Sequence, residues 1–444
     1  MSLFDIRGLP VTASRQASVE ALDAAVASYL GARRSTNSEV TALVETDPEC
    51  VLGWCLRGYV SMHSGEPRGI SSAKKSHDHA VLATQSRPAT QRERMHISAL
   101  RAWSEGDYTG SAGHWNAIAR EWPRDLLAVR LAQFMTSYLG DTNGIRDCVA
   151  CVLPAWDDRV PGYGFLLGCY AYGLEECGEY ASAERIGRLA VESNPSDLWG
   201  AHAVAHVMEM EGRPREGISW IAGLEAGWRE CSNFVLHVEW HRCLFHLALR
   251  EFDRVLELYD SRMRIESTSE YLDIANAAAL LWRLEQQGAN VGNRWEELAN
   301  RSEEHIDDHV FPLADVHYML ALAAKREQSA AEKFLRSCSL FAETGQGTAA
   351  AVMKQVGVSL VEAILAHRGG DHQRVLALLL PQRHLLRRIG GSHAQRDVFE
   401  QLLIDSAVRS GERHSSYSLL TERLERRPHD FWTRRTLADY ESRC

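Results

Sequence analysis

A chain of 444 residues with 45% hydrophobic and 24% charged residues has the make-up of a globular protein, too long for one ordinary core and well suited to a stack of repeats. Its formal net charge of −10 excludes the concentrated basic surface that binding a phosphate backbone requires, so no nucleic-acid partner is expected. No stretch reaches the roughly 18 uninterrupted apolar residues of a membrane span, and Met1–Pro10 has neither a basic nor an apolar signal region, so the expectation is no membrane contact and a cytoplasmic protein.

In chain order, Val19–Leu30 opens with helical periodicity, and His63–Gly69 is expected to be a long inter-helix loop. The first repeat signal follows. Gly106 is trailed two residues on by Tyr108 and seventeen residues on by Pro123, and the same spacing returns at Gly178, Tyr180 and Pro195. Glycine can end one helix in the left-handed conformation, the aromatic begins packing the next, and proline stops it. Counted from Gly164, the second copy places Leu167, Tyr170, Ala171, Leu174, Gly178, Tyr180, Ala183, Ala190 and Pro195 at contact positions of a tetratricopeptide frame of about 34 residues. Another unit starts in phase at Leu198, and a degenerate one starts at Leu236 and puts Phe252 at the head of its second helix. Asn276–Glu285, Val316–Lys325, Val358–His367 and Val398–Val408 also carry helical periodicity, Arg262–Ser269 reads as a long loop, and Gly411 to Pro428 repeats the spacing with Arg413 in place of the aromatic. No alternating strand pattern appears. The expectation is an all-α, tetratricopeptide-like helix-pair solenoid, one continuous array over 1–444, with its best-defined repeats at 92–125, 164–197 and 198–235 and a C-terminal repeat at 397–430.

Ten cysteines are too sparse for a disulfide scaffold, and the Cys148-x-x-Cys151 pair reads as buried structural thiols on an apolar helix. The arginine pairs Arg33-Arg34, Arg387-Arg388 and Arg426-Arg427 read as solvated helix faces.

Nineteen histidines are more than a helical scaffold needs. In Ala201–Arg213 (AHAVAHVMEMEGR) His202, His206 and Glu209 follow one another by single helical turns and share one face. In the repeat frame that face lines the concave groove. The next first helix brings His237, Glu239, Trp240 and His241, and His96 takes the equivalent place in the Gly106 unit. Two H-x₃-H pairs can supply four imidazoles, His202, His206, His237 and His241, with Glu209 or Asp315 completing a nitrogen–oxygen set for a divalent transition metal such as zinc, iron or manganese. The same residues could instead act as general acids and bases, or be polar core residues satisfied by neighbouring helices. Asp315-x-His317 opens an apolar helix, where Asp315 also fits a first-turn charge. Gly390-Gly391-Ser392-His393 leads into Gln395, Arg396 and Asp397, either an anion-binding turn or a helix stop with Ser392 as N-cap. Trp199, Trp240 and Trp295 are candidate walls of an apolar pocket.

These segments resemble the tetratricopeptide repeat protein 38 family, in a bacterial-type form. The resemblance runs from Asp47-Pro48 through Arg92–Ala99, Ala201–Arg213, His237–His241 and Asp315–His317 to Gly390–Leu403 (GGSHAQRDVFEQLL). The matching positions are His96, His202, His206, Glu209, His237, Trp240, His241, Asp315, His317, Gln395, Arg396 and Asp397. Val238-Glu239 replaces an Asn-Tyr type pair, and His393 stands where asparagine is expected. The resemblance implies an all-helical, cytosolic repeat protein and supplies no reaction. The function expected is a small-molecule site in the groove, with His202, His206, Glu209, His237 and His241 as metal-assisted or acid/base machinery of a hydrolase-like enzyme. His96, Trp240, Asp315, His317, Gln395, Arg396 and Asp397 would contact the substrate. The alternative is a scaffold holding a peptide or partner protein, and homo-oligomerisation is open.

Overall fold

Gly106 (φ 82°), Gly178 (φ 78°) and Gly411 (φ 73°) all occupy the left-handed region in which a side chain is strained. They close the helices Gln91–Ser104, Tyr163–Glu176 and His393–Ser410. The helices that follow, Tyr108–Glu121, Tyr180–Ser193 and Arg413–Arg426, each stop two residues before Pro123, Pro195 and Pro428. The residue before a proline is driven out of the α region, and Trp122, Asn194 and Arg427 have ψ of 77°, 90° and 69°. The glycine and proline marks in the sequence are therefore the physical ends of helices.

The computed structural model describes residues 3–442; Met1 and Ser2 of the N-terminal stretch, and Arg443 and Cys444 at the end of the expected array, lie outside the described residues. The protein is an all-α, tetratricopeptide-like helical repeat. Its described residues group into two compact units, 3–204 with Leu224–Val235, and Ala205–Gly223 with 236–442. The first unit stacks successive helix pairs: Gln16–Leu30 with Thr36–Thr46, Val51–Met62 with Pro67–Ser86, Gln91–Ser104 with Tyr108–Glu121, Leu126–Tyr138 with Thr142–Ala150, and Tyr163–Glu176 with Tyr180–Ser193. The second holds helix Phe234–Ala248 from Leu236 onward, then Phe252–Leu258, Tyr271–Gln286, Arg294–Glu303, Pro312–Leu322 and Ser329–Thr344. It ends with Val358–Arg368, His372–Leu379, His393–Ser410, Arg413–Arg426 and Phe431–Glu441. Helix Leu198–Met210 runs unbroken across the division in the chain.

Several local expectations change. Leu3–Phe4 pairs antiparallel with Pro10–Val11, strands too short for alternation to mark. The first expected loop shrinks because Pro67 starts a helix, a position where its missing N–H costs nothing. Helix Pro312–Leu322 starts and stops before the expected Val316–Lys325. Cys148 is buried but Cys151 is exposed, because the helix ends at Ala150. Of the arginine pairs, Arg427 is buried at 7% exposure. The segment Gly347–Arg368 forms a 22-residue helix long and apolar enough to cross a membrane, interrupted by Lys354 and Glu362. Its Leu360, Val361, Ala363 and Ile364 are packed in the core of the second unit.

Close helix packing depends on small residues. A Cβ at Gly173 would lie 2.6 Å from Arg146 Cα and 2.9 Å from the Ile145 carbonyl oxygen, and backbone cannot rotate away as a side chain can. Gly173→Ala is expected to destabilise the first unit by about 1–3 kcal/mol. Thermal unfolding of the variant checks this, and an unchanged midpoint refutes it.

Candidate metal centre

Three imidazoles meet inside the second unit. His206 comes from helix Leu198–Met210, His237 and His241 from helix Phe234–Ala248. Ring centroids are 4.5 Å apart for His206 and His241 and 5.0 Å for His237 and His241. The three offer ring nitrogens within 4.8 Å of one another, a spacing one ion can bridge after small side-chain adjustments. Their exposures are 1%, 3% and 0%. The expected groove wall is therefore an enclosed cluster, not an open surface.

Neighbouring side chains select the ring tautomers. His241 Nδ1–H donates to Glu209 Oε2 at 3.0 Å, and His237 Nδ1–H donates to Asn276 Oδ1 at 3.2 Å. With the proton on Nδ1, the lone pair of each neutral ring sits on Nε2, as in carboxylate–histidine–metal arrangements. Burial pushes both rings well below the ordinary imidazole range; the adjacent histidines push the same way, and at His241 so does the Arg283 guanidinium. Neutral imidazoles are the form that binds metal.

Around this cluster lies an ionic network contributed by distant parts of the chain. Arg427 Nη1 is 3.7 Å from Glu209 Oε1 and Arg427 Nη2 is 3.7 Å from Asp397 Oδ1. Arg283 stands 3.8 Å from Asp397 Oδ2, donates to the Ala394 carbonyl at 2.8 Å, and lies 5.7 Å from the Trp240 ring centroid. Arg423 also bonds both Asp397 oxygens. These guanidinium groups hold the Asp397 carboxyl far below the usual carboxylate range despite its burial.

The remaining sequence candidates divide. Trp240 stacks beside His237 at 5.3 Å. His317 is buried and donates from Nδ1 to the Leu313 carbonyl at 2.7 Å; burial pushes it down to about 4. Gln395 is not displayed as a substrate anchor. Its Oε1 accepts from the Ser392 amide at 3.0 Å and completes a capping box on helix His393–Ser410. Arg396 reaches back to the Gly391 carbonyl, so the Gly390–Asp397 stretch serves a helix start and an internal ion pair. Asp315 is buried and accepts from His309 Nδ1 at 3.2 Å, and its burial pushes it up. His96 belongs to the first unit, where its Nε2 lies 3.1 Å from Asp125 Oδ2 and Arg92 donates to the same oxygen at 2.7 Å. His202, one turn before His206 on the same helix, falls in the first unit among Tyr172, Trp199 and Phe234, at ring distances of 5.9, 5.0 and 5.2 Å. Trp295 bonds Glu285 at 2.8 Å through its indole nitrogen.

Sequence reasoning does not find Asn276, Arg283, Arg423 or Arg427. Of these only Arg427 carries a local mark, its pairing with Arg426, and that mark suggests solvent. A second set, His367, His372 and Asp405, also brings ligand-type atoms within 4.8 Å of one another. There His367 Nε2 bonds Asp405 at 2.7 Å and Arg409 donates to the same carboxylate at 2.9 Å, while His367 Nδ1 and His372 Nδ1 have no hydrogen-bond partner.

No family model matches the chain. Among solved structures it is similar to a chain in the structure of Naa15/Naa10 bound to HypK-THB, with 10% identity, a TM-score of 0.26, and coverage of 96% of this chain and 66% of that one. It thus spans just under two thirds of that chain's length. It is also similar to the P58(IPK) TPR domain, with 13% identity, a TM-score of 0.22, and coverage of 88% and 99%.

Proposed function

We propose that this helical-repeat protein binds a divalent transition metal through His206, His237 and His241, and uses it on a small molecule. The observation that carries the reading is the convergence of three buried imidazoles, two of which, His237 and His241, have their Nδ1 held by Asn276 and Glu209. A core serving packing alone has little use for such polar rings, each of which costs free energy to bury. Three protein ligands leave an open position, which suits Lewis-acid chemistry; four close the site and suit a structural ion. Hydrolysis is the reaction class to test first, with Glu209 as acid/base partner or as the carboxylate orienting His241. Zinc, iron and manganese are the proposed ions. The match to the tetratricopeptide repeat protein 38 family and the cytoplasmic location are proposed with this reading.

Elemental analysis of untagged protein purified without chelator tests it. The expected result is about one equivalent of transition metal per chain, lost in His206→Ala and His241→Ala while far-UV circular dichroism is unchanged. Metal-free wild type that takes up none of the three ions on dialysis, or variants that retain the ion, would refute it. The scaffold reading, which rests on the helical-repeat architecture, predicts instead a defined partner protein whose capture survives His206→Ala and His241→Ala together.

A further inference from the structure

The first unit holds a cation with no direct ion-pair partner. Arg130 is half-buried on helix Leu126–Tyr138, and its guanidinium carbon sits 3.7 Å from the centroid of the Trp199 ring. Its Nη1 is sealed from solvent and has no hydrogen-bond partner. Among the described residues no carboxylate pairs with it. Asp197 feels the Arg130 charge but makes no direct ion pair with it: its Oδ1 accepts from the Trp199 amide at 3.1 Å, capping helix Leu198–Met210, and its Oδ2 is buried without a hydrogen-bond partner. Burial also raises the Asp197 carboxyl to about 7, which weakens it as a counter-charge. A guanidinium N–H sealed from water without a partner costs free energy that a bound acceptor would recover.

Half-buried aromatic residues frame that charge. Phe134 and Tyr138 follow Arg130 at successive turns of one helix face, with their rings 4.7 Å apart. His63 packs edge-on against Phe134 at 4.4 Å and takes a 2.7 Å hydrogen bond with the Tyr29 hydroxyl. On the other side Trp199 packs against Phe234 at 5.2 Å. All six flanking residues, like Arg130 itself, keep partial exposure, so solvent reaches the surroundings of the guanidinium though not its Nη1. A planar fork of N–H donors beside flat apolar walls complements one ligand class, an organic carboxylate joined to an aromatic or apolar body.

We infer that the first unit carries a binding site for a small aryl- or alkyl-carboxylate, with Arg130 as its anchor and the Tyr29, Phe134, Tyr138 and Phe234 rings holding the apolar body. It is independent of the histidine cluster and of any metal there. Two measurements test it on the full chain. The first is calorimetric titration with 3-phenylpropionate, its neutral amide, and inorganic phosphate. The acid is expected to bind saturably, the amide at least about tenfold more weakly, reflecting loss of a charge-assisted bond, and phosphate more weakly than the acid. Arg130→Met should abolish binding of the acid, and Arg130→Lys should weaken it because the fork is lost. No saturable binding of the acid, equal binding of acid and amide, phosphate binding as tight as the acid, or an unaffected Arg130→Met each overturns the inference.

The second measurement is thermal unfolding without ligand. Removing a cation that has no direct ion-pair partner should leave the melting temperature of Arg130→Met unchanged or higher. A fall of more than about 4 °C, equivalent to a kcal/mol or more in a unit of this size, would make Arg130 a packing residue and overturn the assignment. Metal content of the protein should not change in either variant.

Discussion

Asp397→Ala is expected to destabilise the second unit by about 3–5 kcal/mol, the usual cost of removing one partner of a buried ion pair. The carboxylate is 5% exposed and sits among three guanidinium groups: Arg423, bonded directly, Arg427 at 3.7 Å and Arg283 at 3.8 Å. Arg423 keeps Glu400 at 3.1 Å and Arg427 keeps Glu209, so the loss falls hardest on Arg283, itself only 3% exposed. Asp397→Asn preserves shape and one acceptor but not the charge, and should recover less than half of the loss. The double variant Asp397→Ala with Arg283→Met should be less damaged than Asp397→Ala alone, because the stranded cation is gone. Urea unfolding read by peptide-resolved hydrogen exchange is the right measurement, since a chain of this length is not expected to unfold in one step. A loss below about 1 kcal/mol would mean that solvent reaches these charges.

The histidine cluster shows how far local pattern reaches. The i, i+4 spacing of His206 with His202 and of His237 with His241 fixes shared helix faces, and that much follows from sequence. What the faces meet does not. The frame assigns them to a groove wall, but in the folded chain His237 meets Asn276 and Glu209 meets Arg427, residues 39 and 218 positions away in the sequence. Tertiary closure of this kind leaves no periodic trace. For the same reason Arg427 reads as a solvated charge after Arg426 and is buried, and Gln395 reads as a ligand anchor and is a cap. Ser392 shows the opposite: a serine three residues ahead of Gln395 is a local motif, and the capping box forms as its spacing dictates. The turn glycines and helix-stopping prolines are equally local, which is why the helix-pair architecture is legible in the amino-acid order. Arg130 gives no such signal, because an arginine on an apolar helix looks the same with or without a counter-ion.

Glu209→Gln should weaken metal binding by about 10–100-fold, the usual effect of removing a carboxylate that orients a ligating imidazole, although Glu209 need not touch the ion. Its Oε2 fixes the proton on His241 Nδ1 at 3.0 Å, and a neutral amide holds that N–H less firmly. Glu211→Gln, which alters only the partner of Arg213 on the solvent side, is the control and should leave affinity unchanged. The pH profile separates this site from adventitious binding to surface histidines. Protons compete with metal only below the pKa of the ligating ring in the folded protein. Because burial and neighbouring positive charge hold His237 and His241 well below the ordinary value, affinity should stay level as pH falls through about 6.5 and decline only at more acid pH. Surface histidines of ordinary pKa lose affinity from that point downward, by up to about tenfold per ligand for each pH unit. Competition titrations with a chromophoric chelator from neutral to mildly acid pH read both effects. A profile already falling at the ordinary imidazole pKa, together with an indifferent Glu209→Gln, would place the bound metal on the surface and leave the buried rings as core residues.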